Sequence, residues 1–343
     1  MFLLAHPSLK KVDGLTPQWR PRMNRRIFLF AAAALASLFG SPAHAQEWPT
    51  RAVKFIVPLG PGSGVDITAR LVGDRLSKKW GQPVVIENRP GGDGIVGINA
   101  FIGAADDHVL LFTPTGAFTA HPFLHDKVPY DINQLGPIAR VTSTVVAFAV
   151  PASSGISTIK ELLEKTKANP EKLNWASATA TNEILFAAYL KKAGLSMTKV
   201  PYKDTVQPIN DLAEGRIDFY VGAYAIIRPH AESGKVKLLA VTNKERAPGA
   251  PNLQTAREAG YPDLEFDGLV GVFGPRTMPD NVRSRIAADI KGVLADPEVV
   301  ARLTATGQII SPGTASEFAA AMKAQQEQVN AAASAVGMKA ATN

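Results

Sequence analysis

Five residues, Gly60-Pro61-Gly62-Ser63-Gly64, stand between an apolar stretch at 52–58 and a helical pattern from about 65 to 76. Glycines let backbone N–H groups approach a ligand closely, and a helix N-terminus adds partial positive charge, so a loop of this kind prefers an anion. Spacing separates three more specialised chemistries. A phosphate P-loop ends in Gly-Lys-Ser/Thr, whereas Gly64 is followed by Val65-Asp66. A nucleophile elbow around Ser63 requires glycine at 61 and 65, which are proline and valine. A dinucleotide fingerprint finds Gly60 and Gly62 but meets Val65 at its third glycine, with Glu87 standing where a ribose-binding acid would. That coincidence keeps an exported nucleotide-dependent oxidoreductase as the alternative to a binding protein.

The same turn chemistry recurs further along. Thr115, Gly116, Ala117 and Thr119 follow a strand at 108–112, and Ser177, Ala178, Thr179, Thr181 and Asn182 follow one at 172–177. Hydroxyls and amides facing one cleft make a carboxylate cradle without a fixed cation. Asp66, Asp218, Tyr220 and Tyr224 fall at or just past strand ends, where capping or rim duty weighs as much as ligand contact. With Gly60, Gly62, Ser63 and Gly64 these residues form the expected ligand-binding set. His108, His121, His125 and His230 show no metal-ligand spacing, and no catalytic constellation or cofactor motif is present, so no metal, cofactor or enzymatic step is expected.

The elements that must position these turns repeat as strand, turn and helix, the rhythm of an α/β protein with largely parallel sheets. Such sheets bind ligands outside the C-terminal ends of their strands. Helices are expected at 95–104, 182–193, 205–214, 280–294, 297–305 and 314–335, and one at 158 opens on a capping box, Thr158-x-x-Glu161. A long β-branched run at 138–150 reads as one strand passing between domains, and 270–275 reads as the return. The expected architecture is a clamshell with two crossovers, one lobe from 46–146 plus 270–343 and the other from 147–269.

Residues 1–45 read as a discarded leader. Asn24-Arg25-Arg26 precedes an apolar run at 27–39 and an A-x-A exit at Ala43-His44-Ala45, with cleavage expected after Ala45. Thirteen apolar residues cover about 20 Å, short of a hydrocarbon core of roughly 30 Å, so the run is no membrane span. Arg25-Arg26-Ile27-Phe28-Leu29 also resembles a twin-arginine signal, leaving either export route open, and Met23 is an alternative start to Met1. The leader carries six of the 37 basic residues and one of the 30 acidic ones. The mature chain therefore holds 31 against 29, close to neutral, which removes the case for a nucleic-acid-binding face. The absence of cysteine excludes disulfides, thiolate zinc sites and a lipid-anchored cysteine. A periplasmic protein without a lipid anchor, working as a monomer, is expected.

Taken in order, several short motifs resemble the Bug-type receptors of tripartite tricarboxylate transporters. They are Trp48-Pro49; Ile56-Val57-Pro58 with Gly62, Gly64 and Asp66; Val85-Ile86-Glu87-Asn88-Arg89-Pro90-Gly91 with Gly94 and Gly97; and Val200-Pro201-Tyr202-Lys203. Gly215-Arg216-Ile217-Asp218, Leu239-Ala240-Val241-Thr242 with Arg246, and Glu258-Ala259-Gly260-Tyr261-Pro262 complete the set. The resemblance implies a two-lobe periplasmic binding protein of Venus-flytrap, type II-like fold, an organic acid held between the lobes, and inner-membrane permease subunits as partner. Carried over, the carboxylate would meet Gly60 to Asp66, Thr115 to Thr119, Ser177 to Asn182 and Asp218. Departures fall at Leu269, where the family has tryptophan, at Asp204 for glycine, at Ala105-Asp106-Asp107-His108-Val109 for Pro-Asp-Gly-Tyr-Thr, and in the alanine- and threonine-rich Ser177 to Thr181. The tyrosines and Leu269 point to a partly apolar cleft, favouring a longer aliphatic or aromatic diacid over citrate. A receptor presenting its ligand to a membrane sensor fits the same sequence.

Overall fold

The computed structural model describes residues 48–202 and 207–341; the leader with its apolar run and cleavage site lies outside them, as do Lys203 and Asp204. β1 (Val53–Val57) buries Val53, Phe55 and Val57 on one face and Ile56 on the other, so it reads as an unbroken apolar run. The chain continues through α1 (Gly64–Trp80), β2 (Val84–Asn88), α2 (Ile95–Ala104), β3 (Val109–Pro114), α3 (Gly116–Leu124) and β4 (Leu135–Thr144). Beyond it come β5 (Val146–Pro151), α4 (Ile159–Ala168), β6 (Asn174–Ser177), α5 (Ala180–Lys192), β7 (Thr198–Lys199) and α6 (Gln207–Ala213). β8 (Phe219–Ala223), α7 (Tyr224–Glu232) and β9 (Val236–Val241) come next, and β10 (Gly268–Pro275), α8 (Asp280–Val293), α9 (Pro297–Ala305), β11 (Gln308–Gly313) and α10 (Ala315–Ala335) close the chain.

The strands form two sheets, ordered β11-β4-β10-β3-β1-β2 and β7-β6-β8-β5-β9. The expectation of largely parallel sheets is corrected. β1 runs parallel to β2 and β3, and β6 to β7 and β8, but β10 is antiparallel to β3 and β4, β11 to β4, and β5 to β8 and β9. Helical crossovers impose parallel pairing. β4, β5 and β10 instead carry the chain between sheets, and so enter them reversed.

The single strand expected at 138–150 is two strands broken at Val145, with β4 in the first sheet and β5 in the second. Val145 donates its N–H to the Gly307 carbonyl (3.0 Å), while its own carbonyl accepts from Tyr224 N (2.9 Å). The second crossover leaves β9 and re-enters at β10. Asn243, fully buried, ties the two crossovers together: Oδ1 accepts from Val146 N (3.0 Å), and Nδ2 donates to Thr144 O (3.0 Å) and to Asp267 Oδ1 (3.3 Å).

α10 belongs to both lobes by its packing. Phe318 joins Phe273 and Phe118 under the first sheet, whereas Val329 and Ala333 pack with Ala120 of α3 and Ile184 of α5. Two helices, α3 and α7, were not expected, because Pro122 and Pro229 lie inside them and interrupt the helical signal. Among the described residues no helix is long and apolar enough to cross a membrane.

Candidate functional site

Four of the strands whose turns open helices carry the expected site residues: β1 before α1 and β3 before α3 in the first sheet, β6 before α5 and β8 before α7 in the second. In the first of these, Ser63 caps α1, its Oγ accepting from Asp66 N at 3.2 Å. Asp66 is only 2% exposed, and its carboxylate is engaged by its neighbours. Oδ2 accepts from Gly62 N (2.9 Å) and Arg70 Nε (3.1 Å), and Oδ1 from Asn88 Nδ2 (2.8 Å) and Arg70 Nη2 (3.0 Å). Burial works to raise its pKa, but the hydrogen bonds from Arg70, Gly62 and Asn88 outweigh it and hold the carboxyl below its ordinary value. Asn88, which the sequence did not single out, also donates to Leu59 O (2.9 Å) and accepts from Arg70 Nη2 (2.9 Å). The braced turn presents Gly60 and Gly62 outward, with no atom within 4 Å of either Cβ position; at Gly62 a φ of +82° makes glycine the fitting residue.

In the second turn the Thr115 hydroxyl is fully buried and donates to Gln325 Oε1 at 2.5 Å, and its N–H goes to Leu269 O at 2.9 Å. Thr119 turns its hydroxyl back onto the Gly116 carbonyl (2.9 Å), and Ala117 lies beside Gly94 of the neighbouring turn. The expected hydroxyl donors are thus spent inside the protein. What this turn has to offer is the first-turn N–H groups of Gly116 and Ala117, which precede the first helical bond, Thr119 N to Thr115 O at 3.4 Å.

The third turn is lighter. Ser177 Oγ donates to Thr179 O (3.3 Å), Ala178 N to Val221 O (2.9 Å), and Thr179 caps α5 by accepting from Asn182 N (3.3 Å). Thr181 crosses between lobes, its hydroxyl donating to the Gly116 carbonyl at 2.8 Å, so the starts of α3 and α5 meet. Asn182 is buried and borders a small cavity with Phe148, Phe186, Thr242 and Phe266, closed on one side by Gln328 of α10.

At the fourth turn Tyr220 is fully buried in an apolar cluster with Ala147, Ala176 and Leu212, its ring lying across Gly222, where a Cβ would come within 2.5 Å of Tyr220 Cε1. Tyr224 is buried in the same cluster, its hydroxyl directed to Gly249 O (3.4 Å), and burial raises its pKa. The structure does not bring Asp218 to these turns. It precedes β8, at the opposite end of the strand, where its Oδ2 accepts from Asn174 N (2.9 Å), about 20 Å from Tyr224 at strand rise. A residue missed from sequence, Gln308, joins two helix starts. Its Nε2 lies 2.8 Å from the Cβ position of Gly64 at the head of α1, while the adjoining Gly307 lies against Tyr224 and Ala225 of α7.

Away from these turns, Asp106, Asp107 and His108 place one ligand-type atom each within 4.8 Å of the others. Both His108 ring nitrogens already have protein partners: Nε2 accepts from Thr50 N (3.0 Å) and Nδ1 meets Asp107 Oδ1 (2.6 Å). Glu87, the mimic of a ribose-binding acid, is held by Lys54 Nζ (2.6 Å) and by Arg89.

Two α/β lobes joined by two crossovers, with strand-end turns of both lobes meeting through Thr181 and Gly116, define a two-lobe solute-binding receptor. The chain belongs to the tripartite tricarboxylate transporter family receptors, which it matches over residues 68–337, and is of the Bug type. It is 31% identical over 300 residues to a UPF0065 protein of Bordetella bronchiseptica, covering 87% of this chain and 89% of that one. It is similar to an R. palustris protein solved with adipate, at 25% identity and a TM-score of 0.76, covering 86% of this chain and 100% of the other. MatC from Rhodopseudomonas palustris with bound malate is similar at 25% identity and a TM-score of 0.69, covering 84% and 100%. Membership of this family makes the protein a receptor and not an enzyme, which replaces the oxidoreductase alternative.

Proposed function

We propose that this chain captures a small organic acid between its lobes in the periplasm and delivers it, as a monomer, to the inner-membrane permease subunits of a tripartite tricarboxylate-type transporter. The observation that carries the reading is the meeting of the α3 and α5 starts from opposite lobes, with first-turn amides uncommitted there and at the head of α1. Gly64 and Val65 precede the first bond of α1 (Ile67 N to Ser63 O, 2.9 Å), and Ala180 and Thr181 precede that of α5 (Glu183 N to Thr179 O, 3.1 Å). Such amides, aided by the helix dipole, bind carboxylate oxygens without a cationic side chain. Arg70, beside the first turn, is taken up by Asp66 and Asn88.

Amides converging from two lobes suit a ligand with a carboxylate at each end, and two similar proteins were solved with the diacids adipate and malate. The ligand is a mono- or dicarboxylate, with an aliphatic or aromatic diacid favoured. Closure around it would form the surface a permease recognises. Calorimetric titration with acetate, benzoate, malate, adipate, phthalate and citrate is expected to give saturable binding of at least one diacid. Silence across the panel would overturn the reading.

A further inference from the structure

Three glutamines of α10 reach two other segments, α3 and the connection that leads into β10. Gln326 Nε2 donates to Thr119 O (3.3 Å), Gln328 Nε2 to Glu265 O (2.7 Å), and Gln325 Nε2 to Asp267 O (2.9 Å). Gln325 is only 5% exposed and makes a second bond, Oε1 accepting from the Thr115 hydroxyl. Because a backbone carbonyl can only accept, the amide nitrogen must face Asp267, which leaves the oxygen for Thr115.

That bond alters how α3 begins. Ser63 and Thr179, at the starts of α1 and α5, have extended backbones and turn their hydroxyl oxygens onto first-turn N–H groups. Thr115 occupies the equivalent place before α3, yet its backbone is helical (φ −80°, ψ −17°) and its side chain caps nothing. Its hydroxyl is drawn the other way, closely to Gln325 Oε1 (2.5 Å) and more distantly to Leu269 O (3.4 Å). We infer that Gln325 is a positioning residue of the ligand site, which holds Thr115 out of its capping role and so keeps the first-turn amides of α3 free for a carboxylate. The inference rests on the reading of the turn before α3 as part of that site.

A ligand-free experiment separates the two. Amide exchange at Ala117 and Phe118, the positions a capping residue would engage, is followed by NMR in wild type and in Gln325→Met. Release of Thr115 is expected to slow that exchange about fivefold, the size of one cap. Loss of a merely structural contact would speed it or leave it unchanged, and either result overturns the inference. Thr115→Val in the Gln325→Met background removes the competing hydroxyl and is expected to restore fast exchange. Titration with adipate and malate supplies the second arm: for an acid that wild type binds, Gln325→Met is expected to weaken affinity about fivefold and the double variant to recover part of it. If wild type binds neither acid, the site reading fails for these ligands while the exchange data still decide the role of Gln325.

Discussion

The turn before α1 belongs to the first lobe and the turn before α5 to the second, and they are held in different ways. The first is braced from within by a buried carboxylate whose oxygens take hydrogen bonds from Gly62, Arg70 and Asn88. The second has a cap at Thr179, a 3.3 Å bond from Ser177, and Thr181 reaching across to Gly116. One turn therefore carries its shape within its own lobe, while the other takes part of its support from the opposite lobe. A receptor that closes on its ligand would have its first lobe ready for the encounter and complete the second on closure.

Breaking the brace is the most severe test of this contrast. Asp66→Ala leaves Arg70, Asn88 and Gly62 N–H without their shared acceptor and is expected to cost about 2–3 kcal/mol of stability in urea unfolding, with at least tenfold weaker ligand binding. An undisturbed affinity would mean that the turn needs no brace. Acid examines the same element more gently. Because the folded pKa of Asp66 is depressed, the stabilisation it gives is complete above its ordinary value near pH 4 and is lost as the pH falls through the lower folded value. The stability difference between wild type and Asp66→Asn should accordingly hold at pH 5–7 and shrink toward roughly pH 2.

Removing the cross-lobe bond should act on closure and not on order. Thr181→Val keeps the shape of the side chain but removes the cross-lobe bond, leaving the Gly116 carbonyl its bond from Thr119 within the first lobe. It is expected to lower the closed population by a factor of about 3–10, seen as a longer mean distance between spin labels on the two lobes, with unfolding stability within about 0.5 kcal/mol of wild type. A loss of stability comparable to that of Asp66→Ala would erase the distinction between the turns.

The sequence made much of the scaffold readable because its signals are local. Thr314 and Glu317 form the full capping box of α10, and the apolar run of β1 is buried on both faces. The contacts that shape the site are not local. Asn88 meets Asp66 across 22 positions and Gln325 meets Thr115 across 210, and neither residue type announces a partner. Asp66 stands out in the sequence as part of the turn, but its burial and its bonds to Gly62, Arg70 and Asn88 depend on tertiary packing. Thr115 shows the same limit, since a hydroxyl at a helix start reads as a donor until its partner is known. Asp218 differs in kind: it opens its strand and does not end it, so the direction of β8 alone separates it from the other turns.

The central claim is that backbone amides at helix starts of both lobes hold the ligand's carboxylates. Amide shifts of isotopically labelled protein, followed while a bound diacid is titrated in, address it directly. The largest changes are expected at Gly64, Val65, Gly116, Ala117, Ala180 and Thr181, from both lobes together. Changes confined to one lobe, or centred away from these helix starts, would contradict it.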